Sequence, residues 1–129
     1  MRPAVRRPSL AALAVLAPFA FAACGGDDDE AGGGEGRQIA IDAGCAGCHG
    51  ADGQGGIGPA WTGLFNSTVE LDGGGTLTAD DSYVQRAIND PAAEIVAGFT
   101  VAMPVNQLTP EDVEAIVAYI RSLAEVESG

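Results

Sequence analysis

The sequence predicts an all-α domain with a small β-hairpin ahead of its middle helix. Three observations carry that prediction. Between Val113 and Leu123 apolar residues recur at helical spacing, behind a Thr109-Pro110-Glu111-Asp112 start. A second apolar stripe, Tyr83, Val84, Ala87 and Ile88, follows a pair of aspartates and stops at Asp90-Pro91. Finally, two cysteines three apart run straight into a histidine, Cys45-Ala46-Gly47-Cys48-His49, and positions i and i+3 share one face of a helical turn.

In chain order, residues 1–23 are expected to be an export signal. Arg2, Arg6 and Arg7 form a positive start, and Leu10 to Ala23 is apolar but too short to span a bilayer comfortably. Phe21-Ala22-Ala23-Cys24 resembles a bacterial lipobox, which makes Cys24 the expected lipidated first residue of the mature chain. Phe21 departs from the usual leucine, so plain cleavage and an uncleaved anchor stay as alternatives. Residues 24–36, reading CGGDDDEAGGGEG, form the expected flexible tether, since they hold nothing larger and apolar to bury. A dozen flexible residues reach about 20 Å. The expected location is the outer face of the bacterial cytoplasmic membrane, held by the lipid.

The expected folded domain is 37–125, with 126–129 as a tail. Arg37 to Gly44 reads as a short helix, with Ile39, Ala40 and Ala43 on one face. Gly50 to Gly58 is too rich in glycine for regular structure. Val69-Glu70-Leu71, Asp72-Gly73-Gly74-Gly75 and Thr76-Leu77-Thr78 read as strand, turn and strand. The middle helix is expected to be capped by Thr78, with Asp80 and Asp81 in its first turn. Val96 to Gln107 is an irregular stretch carrying Met103-Pro104. The last helix has Thr109 as its cap and Pro110 at its first position.

The chain of 129 residues has 18 acidic and six basic side chains. After Cys24, three arginines (Arg37, Arg86, Arg121) face all 18 acids, leaving a net charge of −15. Such a surface excludes nucleic acid as a partner. A diffusing protein partner would have to offer a basic or apolar patch.

The cysteine–histidine turn carries the chemistry. Thiols on one face can both bond to the edge of a porphyrin, and the next residue can give an imidazole nitrogen to the iron; this spacing is the attachment site of one covalent haem c. His49 is the single histidine and there is no lysine, so a second axial ligand within the chain would be a methionine sulfur. Met1 falls in the expected signal, which leaves Met103. A histidine–methionine pair raises the reduction potential. Structural zinc would need a fourth ligand beside Cys45, Cys48 and His49. A dithiol redox pair would need a βαβ setting, and none is legible.

Helix, haem turn, Gly58-Pro59, middle helix, methionine loop and last helix in this order resemble a class I cytochrome c. The stretches CAGCHGADGQGGIGPAWTGLF, STVELDGGGTLTADDSYVQRAINDP and LTPEDVEAIVAYIRSL, with the Met-Pro pair between them, resemble the cytochrome c domain of caa3-type cytochrome oxidase subunit II. That subunit also carries a cupredoxin domain and membrane helices, which are not legible here, so the resemblance is to the electron-donating module alone.

The resemblance implies thioethers at Cys45 and Cys48, and His49 as iron ligand. It implies a Pro59 carbonyl that holds the outer nitrogen of His49, and Met103 as sixth ligand. Trp61 is expected at the haem edge with its indole N–H toward a propionate. Tyr83 and Arg86 are further candidates for that side. The implied function is single-electron transport in a respiratory chain, with a quinol–cytochrome c reductase as donor and a haem–copper oxidase as acceptor. No small-molecule substrate and no enzymatic activity are expected. The alternatives are a five-coordinate haem enzyme or sensor, such as a peroxidase or gas binder, and a fixed subunit of an oxidase or dehydrogenase complex.

Overall fold

The computed structural model describes residues 33–126. The expected signal, Cys24 and most of the tether lie outside the described residues. The elements are α1 (Gly33–Asp42), α2 (Ala46–His49), β1 (Thr68–Glu70), β2 (Thr76–Thr78), α3 (Asp81–Asn89) and α4 (Pro110–Val126). Among the described residues no helix is long and apolar enough to cross a membrane.

The first and last helices form the main packing interface. Ala40 of α1 and Val113, Ile116, Val117, Tyr119 and Ile120 of α4 are all buried in one core. Helix α1 begins at Gly33, four residues before the sequence reading starts it. The residues Gly33 to Gly36, assigned to the tether, therefore belong to the domain. Glycine in a helix costs about 1 kcal/mol relative to alanine, so packing has to offset it. Gly36 is where it does: a methyl group there would overlap the Ala115 carbonyl and press on Cβ of Tyr119. The absent side chain lets the two backbones approach closely. At the other end, α4 continues through Val126, one residue into the segment assigned to the tail.

The hairpin is antiparallel, with Thr68, Val69 and Glu70 opposite Thr78, Leu77 and Thr76. Its first strand starts and ends one residue earlier than expected. Leu71 bridges instead to Val96, and the Asp72 and Ala97 amides bond to Ile95 and Glu70 carbonyls. The hairpin thus holds the entry of the segment that carries Met103.

The middle helix α3 is capped by Asp80, not by Thr78. Its carboxylate accepts the Tyr83 amide at 2.8 Å, which satisfies one of the free N–H groups of the first turn. Tyr83, Val84 and Ile88 face the core. Helix α4 opens on a reciprocal cap: Thr109 Oγ1 accepts the Asp112 amide at 3.2 Å, and Asp112 accepts the Thr109 amide at 2.9 Å. Arg121 of α4 pairs with Asp81 of α3, tying the two helices at the surface.

Candidate functional site

Helix α2 is a single turn, and its cysteines and histidine follow from it. Cys45 has helical angles and its carbonyl accepts the Cys48 and His49 amides at 3.2 and 3.0 Å. Cys45 and Cys48 are therefore neighbours on one face, both half-buried and both free thiols. Burial pushes the Cys45 thiol above its ordinary range.

His49 is 8% exposed. Its Nδ1 lies 2.8 Å from the Pro59 carbonyl oxygen. A carbonyl only accepts, so Nδ1 carries the proton and donates, and Nε2 keeps its lone pair for a metal. The loop that brings Pro59 back is closed by three short backbone bonds. The Gly55 amide donates to His49, Gly58 to Cys48 and Trp61 to Gly53, at 2.7, 2.9 and 2.7 Å. Gly58 passes against the ring: a methyl group there would come 2.8–3.1 Å from Cε1, Nδ1 and Nε2.

The ring opens on a cleft in two lobes of about 380 and 220 Å³. Cys45, His49, Pro59, Met103 and Leu108 line both lobes, so the two spaces adjoin at these residues. Clefts for organic cofactors run to about 300–1,000 Å³. The larger lobe also holds Cys48 and the Met103–Leu108 segment, and no Asp, Glu, Lys or Arg lines it. The smaller lobe is walled by Trp61, Tyr83, Val84, Ile88, Ile116 and Ile120, with Glu94 as its one charged residue among the described residues. Ile116 and Ile120 are also the largest fully buried side chains of the core. A flat apolar ring fits here, two thiols stand at its wall, and a neutral imidazole nitrogen and a thioether sulfur are available to its metal. The donor set and the lining agree with haem c.

Trp61, assigned to the haem edge by sequence, does line the cleft, but its ring lies against His49. The two rings are stacked at 4.7 Å between centroids and 19° between planes. Tyr119 meets the indole edge-on at 6.1 Å and 87°. Tyr83 also lines the cleft, whereas Arg86 is bonded to Glu94 at 3.2 and 3.3 Å. Arg37 pairs with Asp52 at 2.8 Å. All three arginines after Cys24 are thus in ion pairs, and none lines the cleft.

Sequence reasoning missed Asn106. Its amide donates to the Ile88 carbonyl at 2.7 Å, in the last turn of α3 where carbonyls lack helical partners. Its own oxygen accepts the Leu108 amide at 3.2 Å. It fastens the methionine segment to α3. The available signal was an asparagine in an irregular stretch just before a helix cap, too common a pattern to single out.

A model of the cytochrome c family matches residues 34–124. The chain is also 34% identical over 94 residues to cytochrome c oxidase subunit 2 of Alkalihalophilus pseudofirmus. That match covers 72% of this chain and 26% of the relative, so the chain spans about a quarter of the relative's length.

Proposed function

The chain belongs to the cytochrome c family and carries covalent haem c, and from that premise we propose that it is a membrane-tethered carrier of single electrons. The observation that supports this most is one cleft lined together by Cys45, Cys48, His49 and Met103. When bound, the haem supplies a one-electron Fe(III)/Fe(II) couple. Cys45 and Cys48 fix it through thioethers. His49 would hold the metal through Nε2, its orientation kept by the bond from Nδ1 to Pro59. Met103 would offer its sulfur to the metal, which would keep small ligands away from it. The apolar wall of Val84, Ile88, Ile116 and Ile120 excludes water and favours a high potential.

Electrons pass at the rim of the larger lobe. Ile57, Val101 and Val105 stand there 58%, 63% and 85% exposed, on an otherwise acidic chain. An apolar patch at the crossing point favours short-lived docking without a charged group to desolvate. The likeness to an oxidase subunit supports a haem–copper oxidase as acceptor, and a quinol–cytochrome c reductase is the donor that fits such a chain of carriers. Cys24, lipidated, holds the protein at the outer face of the cytoplasmic membrane.

The test is the spectrum of the full chain purified from membranes. The ferric protein is expected to be low-spin, with the weak far-red band of iron bound to methionine sulfur. The ferrous protein is expected to bind carbon monoxide slowly. High-spin iron with fast carbon monoxide binding would replace this reading with a haem enzyme or sensor. Cys24→Ser is expected to move the coloured protein to the soluble fraction; retention on membranes would rule out the lipid tether.

A further inference from the structure

We propose that Trp61 is a positioning and tuning residue for His49, acting through the face of its indole ring. The proposal rests on the reading of His49 as the iron ligand. An imidazole is free to turn about its bond to Cβ. The hydrogen bond to Pro59 fixes where Nδ1 points. The stack on Trp61, at 4.7 Å and 19°, fixes the plane. That geometry lies within the range of favourable aromatic pairs.

Trp61 is itself held. Its backbone amide donates to Gly53 at 2.7 Å, its indole packs T-shaped with the Tyr119 ring at 6.1 Å between centroids, and the residue is only 7% exposed. Tyr119 sits at the α1–α4 crossing beside Gly36. A rigid chain of rings therefore runs from the helix interface to the ligand. An aliphatic side chain of similar volume would fill the same space without defining a plane.

The stack also has an electronic sign. An indole face is negative, and the imidazole becomes more positive when the metal it binds is oxidised. The face therefore stabilises the oxidised state and lowers the reduction potential. No side chain of Lys or Arg lines the cleft to oppose it.

Trp61 is the one tryptophan of the chain. Supplying fluorinated tryptophan during expression changes this ring alone, nearly without changing its shape. The haem-loaded full chain is expected to show a potential that rises with the number of ring fluorines. A two- to fivefold shift in the oxidised-to-reduced ratio is expected, or about 20–40 mV at 59 mV per tenfold for one electron. Trp61→Leu is expected to raise the potential further and alter the ferric electron paramagnetic resonance signal, which reports the ligand plane. Trp61→Phe is expected to restore that signal. A potential unmoved by fluorination, with coloured protein in hand, would overturn the role of Trp61 and leave the haem reading intact. Protein without covalent haem would overturn the reading beneath it.

Discussion

The two sides of the cleft are built in different ways. On the side of His49, the stretch from Cys45 to Trp61 folds back on itself through backbone bonds, and the ring is met by Pro59, Gly58 and Trp61. On the side of Met103, among the described residues, no backbone amide from Thr100 to Gln107 bonds to another backbone group. That segment is strung between the hairpin, through Leu71 and Val96, and the cap at Thr109, with Asn106 as its pin. Val101 and Val105 stand out from it into solvent. One side is preorganised to hold a ligand still, and the other is held at its ends and at Asn106 alone. A carrier of the proposed kind would gain from this division: His49 would set a fixed geometry, while the Met103 loop would supply both a soft ligand and the surface a partner meets.

The largest expected break in this contrast is Gly58→Ala. The added methyl would come 2.8–3.1 Å from atoms of the His49 ring, closer than van der Waals contact, and overpacking of this kind costs about 1–3 kcal/mol. The expected outcome is a sharp fall in haem-loaded protein and a lower melting temperature, measured by absorbance and circular dichroism. A normal yield with unchanged melting would show that the His49 side is as yielding as the other.

Asn106→Ala acts on the other side and more weakly. It removes two hydrogen bonds, worth together about 1–2 kcal/mol. Haem attachment is expected to survive, while the far-red band weakens and added imidazole binds more readily. Imidazole affinity equal to that of the unaltered protein would remove Asn106 as the pin. Val105→Asp is the smallest change: an exposed site is expected to alter stability by no more than about 0.5 kcal/mol. Its effect is expected in electron exchange, which slows with an acidic or apolar partner, as stopped-flow mixing would record.

How much of this was legible in the sequence depended on distance along the chain. The turn from Cys45 to His49, the cap at Thr109 and the stripe of α4 are local, and spacing alone reveals them. The cap of α3 was misplaced by two residues because Thr78, Asp80 and Asp81 are all suitable caps; the path of the chain out of β2 selects Asp80. The sequence alone places Gly36 in the tether, because a run of glycine and acid looks the same in a linker and at a tight helix crossing. Its partner, Ala115, is far away in sequence.

By itself the sequence determined the chemical inventory: one histidine, two thiols on its own turn, a methionine within an irregular stretch, and a strongly acidic chain. These follow from composition and from the helical repeat, which act over a few residues. The tertiary structure decided which groups surround that histidine. Trp61 lies on its face, the Pro59 carbonyl accepts its Nδ1–H, and Asn106 ties the opposing loop to α3. Those contacts depend on how loops close and helices cross. They are fixed by packing across the whole domain, which no local pattern encodes.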